Sequence, residues 1–438
     1  MVTAPWIRQI IDATPMVDTH EHLWEETRRI SVLDKPGEGG VPAPDFGMLF
    51  SHYVDSDLIV SGMPHESVGK LTGHDLDPKA KWTLIEPYYE RIRLTGYGRC
   101  VRESVRCLFG EDDLRADNAE RISQKLREGV RPGFYRHVLQ GISNLEYVMV
   151  NSLETPVFCE TAQPDLLCQD ISTVALSTGL NIKAVTEALD REAKDLAGWH
   201  GIIDECFERF GPRAIAIKNQ SAYARRLDYA QVSTEDAAPL FARYLKEAGS
   251  LDPAELKALQ DHLFHYTVRK ATEYHLPVKL HTGYYAGSGG MPLERVRQNA
   301  GDVCALLQAH RDARFDFFHI DYPYQDEIIA LAKHYPNAWV DMCWTWIINP
   351  TASVRFLKEF LTAAPANKVL GFGGDMRPLE LVPGHAAIAR QGIAQALSEL
   401  LEEGWIKETE VQPTAERILR QNAHELFDYP RTLAAWKK

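Results

Sequence analysis

The sequence predicts an α/β protein built as a (β/α)8 barrel with a mostly helical insertion after its first strand. Short apolar runs typical of strands alternate with longer stretches in which apolar residues recur at helical spacing, and there are eight such runs. Alternating strands and helices imply parallel pairing, and eight repeats are enough to close a barrel. A doubly wound open sheet is the alternative. The distribution of polar residues at the strand ends favours the barrel.

The eight predicted strands are short and largely apolar, as expected for strands covered by helices. They are Met16–His20, Tyr147–Asn151, Leu166–Ile171, Ala214–Asn219, Pro277–Thr282, Phe315–Ile320, Ala338–Trp344 and Val369–Asp375. The predicted helical stretches between them are Ile182–Phe210, Leu256–His275, Arg295–Arg311, Gln325–His334, Val354–Ala363 and His385–Glu403.

Residues 31–140 interrupt this alternation, because they are too numerous for a strand-to-strand crossover. The segment begins with a Gly/Pro-rich loop at residues 35–40 and continues with helical patterns at Trp82–Leu94 and Asn118–Glu128. We therefore expect residues 1–30 and 141–438 to form the barrel. We expect residues 31–140 to form a helical insertion that covers its mouth.

Composition narrows the class of protein and its partners. The 438 residues carry a net charge of 48 − 61 = −13, which argues against nucleic acid or an anionic membrane as a partner. The seven cysteines are widely spaced and odd in number, which favours free thiols in a reducing compartment. No membrane-spanning run or secretory signal is recognisable. We expect a cytoplasmic protein that acts on a small molecule, and a homo-oligomer is compatible with the sequence.

Ionisable residues stand at the carboxyl ends of five predicted strands. The first strand ends in His20 and His22, which share one face because strand side chains alternate. The others are Lys218 after strand four, His281 after strand five, His319 after strand six and Asp375 after strand eight. All carboxyl ends of a parallel barrel lie on one side, so these residues should converge.

This set of side chains predicts a metal centre. Three neutral imidazoles and one carboxylate (His20, His22, His281 and Asp375) suit Zn²⁺, with Mn²⁺, Fe²⁺ and Co²⁺ as alternatives. A bound ion activates water or polarises a substrate oxygen, Asp375 could take a proton, and His319 could stabilise charge. Any one of these residues could instead be structural, such as a buried histidine or a helix N-cap, but the joint pattern favours the site.

The ordered set HxH, Lys, His, His and Asp resembles the amidohydrolase superfamily. The resemblance covers most of the chain and implies a distorted (β/α)8 fold that binds one or two divalent metals. It implies that His20, His22, His281 and Asp375 are metal ligands. We expect Asp375, His319 and Lys218 to be the catalytic residues, with Lys218 helping His319 to stabilise charge. It places Lys218 where binuclear members carry a carboxylated lysine, so two ions are expected if Lys218 is carboxylated and one otherwise.

Two groups within the superfamily are similar to this sequence. The strings KNQSAYAR, HTGYY and YPYQDE resemble the amidohydrolase-like domain sometimes fused to glutamine synthetase. Uronate isomerases also carry a large helical insertion after strand one, and the arginine-rich Trp82–Phe109 could lie over the mouth in the same way. Strand eight lacks the tryptophan pair expected of that group, although Trp344 and Trp346 stand at strand seven.

These observations rank the functional hypotheses. The first is a metal-dependent hydrolase in which activated water attacks a C–N or C–O bond of a small polar substrate that bears a carboxylate. Predicted substrate contacts are Tyr223, Arg225, Tyr284 and Arg377, because arginine forks suit carboxylates. The alternative is a uronate isomerase-like enzyme or a decarboxylase acting on a sugar acid or aromatic acid. A catalytically silent scaffold is the third hypothesis, and the intact ligand set argues against it.

Overall fold

The computed structural model describes residues 3–35 and 37–437, which form nine short parallel strands surrounded by helices. The strands are β1 (Met16–Glu21), β2 (Leu145–Val150), β3 (Leu167–Gln169), β4 (Ile171–Ser172), β5 (Ile217–Asn219), β6 (Val278–His281), β7 (Phe315–Phe318), β8 (Ala338–Asp341) and β9 (Val369–Leu370). They pair in chain order in two groups, β1 to β3 and β4 to β9.

Hydrogen bonds outside these ladders close the strands into a ring. Only Asp170 separates β3 from β4, and its N–H donates to Val150 while that of Ile171 donates to Ala216. The predicted third strand therefore covers both pieces, and the barrel has eight strand positions. At the other seam, the Thr19 N–H donates to the Phe372 carbonyl at 3.1 Å. The (β/α)8 fold predicted from the alternation of strands and helices is confirmed.

Helices precede β1 and fill the long segment between β1 and β2. They are α1 (Pro5–Ala13), α2 (Glu26–Ser31), α3 (Val54–Val60), α4 (His65–Thr72), α5 (Pro78–Ile92), α6 (Gly96–Phe109), α7 (Ala119–Gly129) and α8 (Phe134–Arg136). The segment is largely helical, as predicted. The turn after its 3₁₀ helix Phe46–Phe50 reaches the barrel mouth, where His52 contacts Asp375. The first turn of α6 also reaches the mouth, where Tyr97 stacks near Trp344.

The remaining helices alternate with the later strands. Between β4 and β7 lie α9 (Ile182–Leu189), α10 (Leu196–Phe210), α11 (Thr234–Lys246), α12 (Pro253–Glu273), α13 (Asn299–Asp302) and α14 (Cys304–Ala309). After β7 come α15 (Gln325–His334), α16 (Thr345–Ile348), α17 (Pro350–Ala363), α18 (Val382–Glu402), α19 (Glu408–Glu416), α20 (Asn422–Leu426) and α21 (Tyr429–Trp436).

Two predicted helices are divided in the structure, and the last predicted strand ends five residues early. The stretch predicted as one helix at Ile182–Phe210 is α9 and α10, because Asp190 adopts a left-handed conformation that ends α9 and Asp195 caps α10. Arg295–Arg311 is divided into a 3₁₀ helix, α13 and α14. The last strand stops at Leu370 rather than Asp375, since Gly371 N–H donates to Ile418 and leaves the ladder.

The barrel interior contains charge as well as apolar side chains. Lys279 and Asp170 are fully buried and their Nζ and Oδ2 atoms lie 2.9 Å apart. Lys279 Nζ also donates to the Thr19 carbonyl at 2.9 Å, so it connects β6 to β1 across the barrel. All seven cysteines are free thiols, as predicted. Within the described part of the chain, no helix has both the length and the apolar character needed to cross a membrane.

Candidate metal centre

Three of the predicted metal ligands meet at the carboxyl end of β1. His20 is completely buried and His22 follows the last residue of the strand, with its ring centroid 4.7 Å from that of His20. Asp375 lies in the loop after β9, and its Oδ1 is 3.3 Å from His20 Nε2 and 3.1 Å from His22 Nε2. The ligand atoms of all three lie within 4.8 Å of one another, so this group could hold a metal ion.

The hydrogen bonding of His22 tests whether a cation fits this group. His22 Nδ1 lies 2.7 Å from the Asn151 carbonyl oxygen, which can only accept a hydrogen bond, so Nδ1 carries the hydrogen. The lone pair on Nε2 then faces the Asp375 carboxylate at 3.1 Å. Two acceptors at this distance repel each other unless a metal cation or a proton lies between them. Imidazole and carboxylate are ligands that Zn²⁺ and similar divalent ions accept.

The surroundings of His20 and Asp375 favour the charge states that metal binding needs. Burial, together with the Lys218 charge, holds the pKa of His20 well below its usual value. Burial alone would raise the pKa of Asp375, but the His20 and His22 rings outweigh it and hold that pKa well below its usual value. The centre therefore presents a neutral His20 imidazole and an ionised Asp375 carboxylate at neutral pH.

His281 and His319 form a second pair beside the first group. His319 Nε2 lies 3.0 Å from His281 Nδ1 and 3.7 Å from Asp375 Oδ2. His319 Nδ1 donates to the Cys343 carbonyl and His281 Nε2 to the Tyr284 carbonyl. The structure therefore places His281 against His319 rather than among His20, His22 and Asp375. A second group of candidate ligands is His319, Cys343 and Asp375.

Lys218 approaches the same centre from β5. It is almost fully buried, and its Nζ lies 3.6 Å from the centroid of the Phe318 ring. Burial lowers the pKa of Lys218 to about 8, while the Asp375 charge opposes that shift. The strand-end lysine predicted from the sequence is thus part of the centre, and its carboxylation stays a prediction.

The structure adds two residues that sequence reasoning missed, His52 and Tyr53. His52 has a left-handed backbone, with φ of 63°, and its Nε2 donates to the Asp375 carbonyl at 3.0 Å. Burial lowers the pKa of His52 to about 4. The Tyr53 ring stacks on Trp344 with centroids 4.2 Å apart. Burial raises the pKa of its hydroxyl well above the usual value, as does the nearby Asp375 carboxylate.

No sequence signal pointed to His52 and Tyr53. They lie in a turn of the segment between β1 and β2 rather than at a strand end, so the rule that located the other residues does not reach them. A histidine-tyrosine pair in an otherwise apolar stretch, FGMLFSHYV, is the only local feature that could have raised attention.

The four predicted substrate contacts occupy different environments. Tyr223 packs against His281, with ring centroids 4.5 Å apart, and Tyr284 lies 5.9 Å from Trp344. The Arg377 guanidinium carbon is 4.4 Å from the centroid of the Trp24 ring. The Arg225 guanidinium instead pairs with buried Asp261 on α12 and lies over the Tyr229 ring. Its role as a substrate contact stays a prediction.

The arginines of Trp82–Phe109 lie mainly in surface contacts. Arg93 and Arg102 contact Asp113, Arg99 and Arg106 contact Glu103, and Arg91 donates to the Ser61 carbonyl. Tyr97, in the same stretch, instead reaches the barrel mouth and lies near Trp344.

A comparison with protein-family models agrees with this geometry. The model described as amidohydrolase matches residues 188–429, which is more than half of the chain. The chain belongs to the amidohydrolase family. The matched region contains the strand ends that carry Lys218, His281, His319 and Asp375, so the resemblance seen in the strand-end residues is confirmed.

Individual relatives match this amidohydrolase over nearly its whole length. A uronate isomerase of Nostoc punctiforme is 23% identical over 95% of this chain and 93% of its own length. The solved structure of glucuronate isomerase from Caulobacter crescentus gives a TM-score of 0.77 at 15% identity, over 97% of this chain and 93% of that one. Uronate isomerase from Thermotoga maritima gives 0.76 at 14% identity, over 96% of each chain. At these identities the two structures show a shared fold.

Proposed function

We propose that this amidohydrolase is an isomerase that interconverts the aldehyde and ketone forms of a uronate, a sugar acid. The observation that carries the proposal is the extent of similarity to the uronate isomerase of Nostoc punctiforme, which runs through 95% of this chain. That span includes nearly all of the segment between β1 and β2, which supplies His52 and Tyr53 beside Asp375. Isomerisation, ranked second from the sequence, is therefore preferred to hydrolysis.

The site contains the groups that such an isomerisation requires. A proton must move between neighbouring carbons, and protons must also move on and off their oxygens. Asp375 is ionised and can accept a proton. The Tyr53 hydroxyl stays protonated and can donate to a substrate oxygen. His52 uses its Nε2 hydrogen on the Asp375 backbone, so its Nδ1 is left as an acceptor.

The metal would be held by His20, His22 and Asp375. When bound, a divalent ion would polarise the substrate oxygens, and Zn²⁺ is the ion we expect for this ligand set. We expect one ion per chain, and two if Lys218 is carboxylated. Removal of metal with a chelator should abolish turnover, and restoration of Zn²⁺ should return it. Full activity in protein that contains no measurable metal would contradict this assignment.

Arg377 is our candidate for binding the carboxylate of the substrate. It follows Asp375 by two residues, and its guanidinium has no ion-pair partner within 4.0 Å among residues 3–35 and 37–437. The Trp24 ring supports one face of the guanidinium and leaves its edge for a carboxylate fork. Arg225 is already engaged by Asp261, which makes it the weaker candidate.

Turnover of glucuronate in D₂O tests the proposed reaction. We expect the metal-loaded protein to produce a keto sugar acid, detected by NMR, in which carbon-bound hydrogen is exchanged while the carbon skeleton stays intact. Asp375→Asn should lower kcat by at least about a hundredfold, because it removes the base. The hydrolase hypothesis would be favoured instead if the protein converted neither glucuronate nor galacturonate but hydrolysed a lactone or an amide of a sugar acid.

A further inference from the structure

Strand β1 binds the turn that carries Asp375 through three consecutive backbone amides. The Gly374 N–H donates to Asp18 Oδ1 at 3.0 Å, and the Met376 N–H donates to Glu21 Oε2 at 2.5 Å. Between them, the Asp375 N–H donates to the His20 carbonyl at 2.7 Å. Two side chains and one main-chain oxygen of β1 therefore fix the residues on both sides of the carboxylate ligand.

The space around this turn is matched to Glu21. A Cβ atom built on Gly374 would lie 1.9 Å from Glu21 Oε1, so only glycine permits this approach. Asp375 itself has φ of 57°, a left-handed conformation that non-glycine residues seldom adopt. Such a conformation persists only where neighbouring contacts determine it. The three hydrogen bonds from β1 supply those contacts.

The positions of Asp18 and Glu21 are unfavourable for the stability of the fold. Both side chains are completely buried, and neither has a lysine or arginine within ion-pair distance in the part of the chain that the structure describes. Asp18 Oδ2 and Glu21 Oε1 are buried without a hydrogen-bond partner among the described residues. Burying two carboxyl groups without a cationic side chain is costly, which favours a role in shaping the site.

We propose that Asp18 and Glu21 are positioning residues that hold the 374–376 turn so that the Asp375 carboxylate faces His20 and His22. They set the affinity and geometry of the metal centre without contacting the metal. The inference rests on the metal centre of the proposed function but does not depend on which substrate is turned over. Glu21 is thus more than the spacer between the two histidines.

Substitutions at Glu21 separate the geometry of this contact from its charge. In Glu21→Leu the acceptor for Met376 is lost while the volume is similar, and we expect Zn²⁺ affinity to fall by about 10- to 100-fold. In Glu21→Gln the amide oxygen can still accept from Met376 N–H, so affinity should stay within about threefold of wild type. The visible spectrum of the Co²⁺-loaded protein should change in Glu21→Leu and be retained in Glu21→Gln.

Glu26→Leu is the matched control. Glu26 is also buried, and its Oε1 accepts from a backbone amide, that of Tyr135 at 2.9 Å, away from the 374–376 turn. Its loss should cost stability, measured as the thermal midpoint, but should leave Zn²⁺ affinity and the Co²⁺ spectrum as in wild type. An equal loss of affinity in Glu26→Leu and Glu21→Leu would overturn the proposal.

A double substitution tests the fit between Gly374 and Glu21. Gly374→Ala should weaken Zn²⁺ binding because the new methyl group meets the Glu21 carboxylate. Glu21→Ala removes that clash, so Gly374→Ala should cost less affinity in the Glu21→Ala background than in wild type. Equal costs in both backgrounds, or wild-type affinity in Glu21→Leu, would overturn the proposal. Because metal binding is measured directly, inactivity towards uronates would not affect this result.

Discussion

Trp344 connects the metal centre to the segment between β1 and β2. Its backbone is left-handed, with φ of 66°, and its ring lies 5.2 Å from that of His319. Tyr53 stacks on one Trp344 face at 4.2 Å and Tyr97 lies nearly parallel at 6.4 Å. Aromatic stacking of this kind fixes ring orientation. Burial and the nearby Asp375 carboxylate raise the pKa of the Tyr53 hydroxyl, so this hydroxyl stays protonated close to Asp375.

Removal of the Tyr53 hydroxyl tests its proposed role in proton transfer. We expect Tyr53→Phe to lower kcat for the uronate by about a hundredfold, since general acid–base groups typically contribute about 10²- to 10⁴-fold. Tyr97→Phe is the control, because it removes a hydroxyl from a neighbouring buried ring near Trp344. Steady-state kinetics should give a much smaller change for Tyr97→Phe. Equal effects of the two substitutions would contradict a specific role for Tyr53.

At the residue scale, the sequence predicted the side chains that stand at strand ends. His20, His22 and Asp375 could be placed together because a parallel barrel brings distant strand ends to one rim. His52 could not, because its position depends on a left-handed turn in a long connection. The pairing of His281 with His319 was equally out of reach, since it depends on side-chain torsions and on the Tyr284 carbonyl that binds His281.

At the element scale, close contact between α6 and α18 seats the segment between β1 and β2 on the barrel. A Cβ atom on Gly384 of α18 would lie 2.3 Å from the Cys100 carbonyl oxygen and 2.3 Å from Ser104 Oγ of α6. A Cβ atom on Gly96, at the start of α6, would lie 2.1 Å from the Ile347 carbonyl oxygen. These two glycines let the helix backbones approach each other. Tyr97 comes directly after Gly96, so the close approach brings its ring near Trp344.

An alanine at position 384 should therefore destabilise the protein. We expect Gly384→Ala to lower the free energy of unfolding by about 1–3 kcal/mol, because the backbones must move apart. Gly201→Ala is the matched control on α10, where nothing lies within 4 Å of the new methyl group and the residue is exposed. It should raise stability by up to about 1 kcal/mol through helix propensity. Urea unfolding of both variants would measure the difference, and destabilisation by Gly201→Ala would contradict this account.

Element prediction succeeded where apolar spacing and local conformation agree. Gln325–His334 was predicted as a helix and is α15 to the residue. Ile182–Phe210 was predicted as one helix because its apolar spacing hardly changes, but Asp190 turns the chain at φ of 54°. Val369–Asp375 has strand-like composition, yet it leaves the ladder after Leu370. Such ends depend on tertiary hydrogen bonds that residue spacing does not encode.

At the scale of the whole molecule, histidines with lowered pKa values are also found outside the metal centre, in two pairs that are each half-buried on one side. On the outer layer, His200 Nε2 lies 3.0 Å from His262 Nε2, and His265 Nδ1 lies 2.7 Å from His310 Nε2. These two pairs join α10 to α12 and α12 to the end of α14. Burial lowers the pKa of His200 and of His310 to about 4, and the facing ring adds to the effect.

These pKa values make stability depend on pH in a definite direction. The unfolded chain binds protons at histidine near pH 6.5, whereas His52, His200, His310 and His319 bind them near pH 4 when folded. Between these values the unfolded state holds more protons, so stability falls as pH falls from about 6.5 to 4. The histidine contribution is fully present above pH 6.5. Each proton taken up on unfolding adds a slope of about 1.4 kcal/mol per pH unit.

Substitution of one member of an outer pair measures its share of that slope. His200→Gln keeps an N–H donor for His262 Nε2 but removes one titrating group, so its stability should fall less steeply with acid than that of wild type. Urea midpoints measured at pH 7.5, 6.5, 5.5 and 4.5 would compare the two proteins. Above pH 6.5 the difference between the two midpoints should be constant. Below pH 6.5 wild type should lose stability relative to His200→Gln, because His200 disfavours the fold only where the unfolded chain is protonated. Parallel curves would show that His200 is protonated equally in both states.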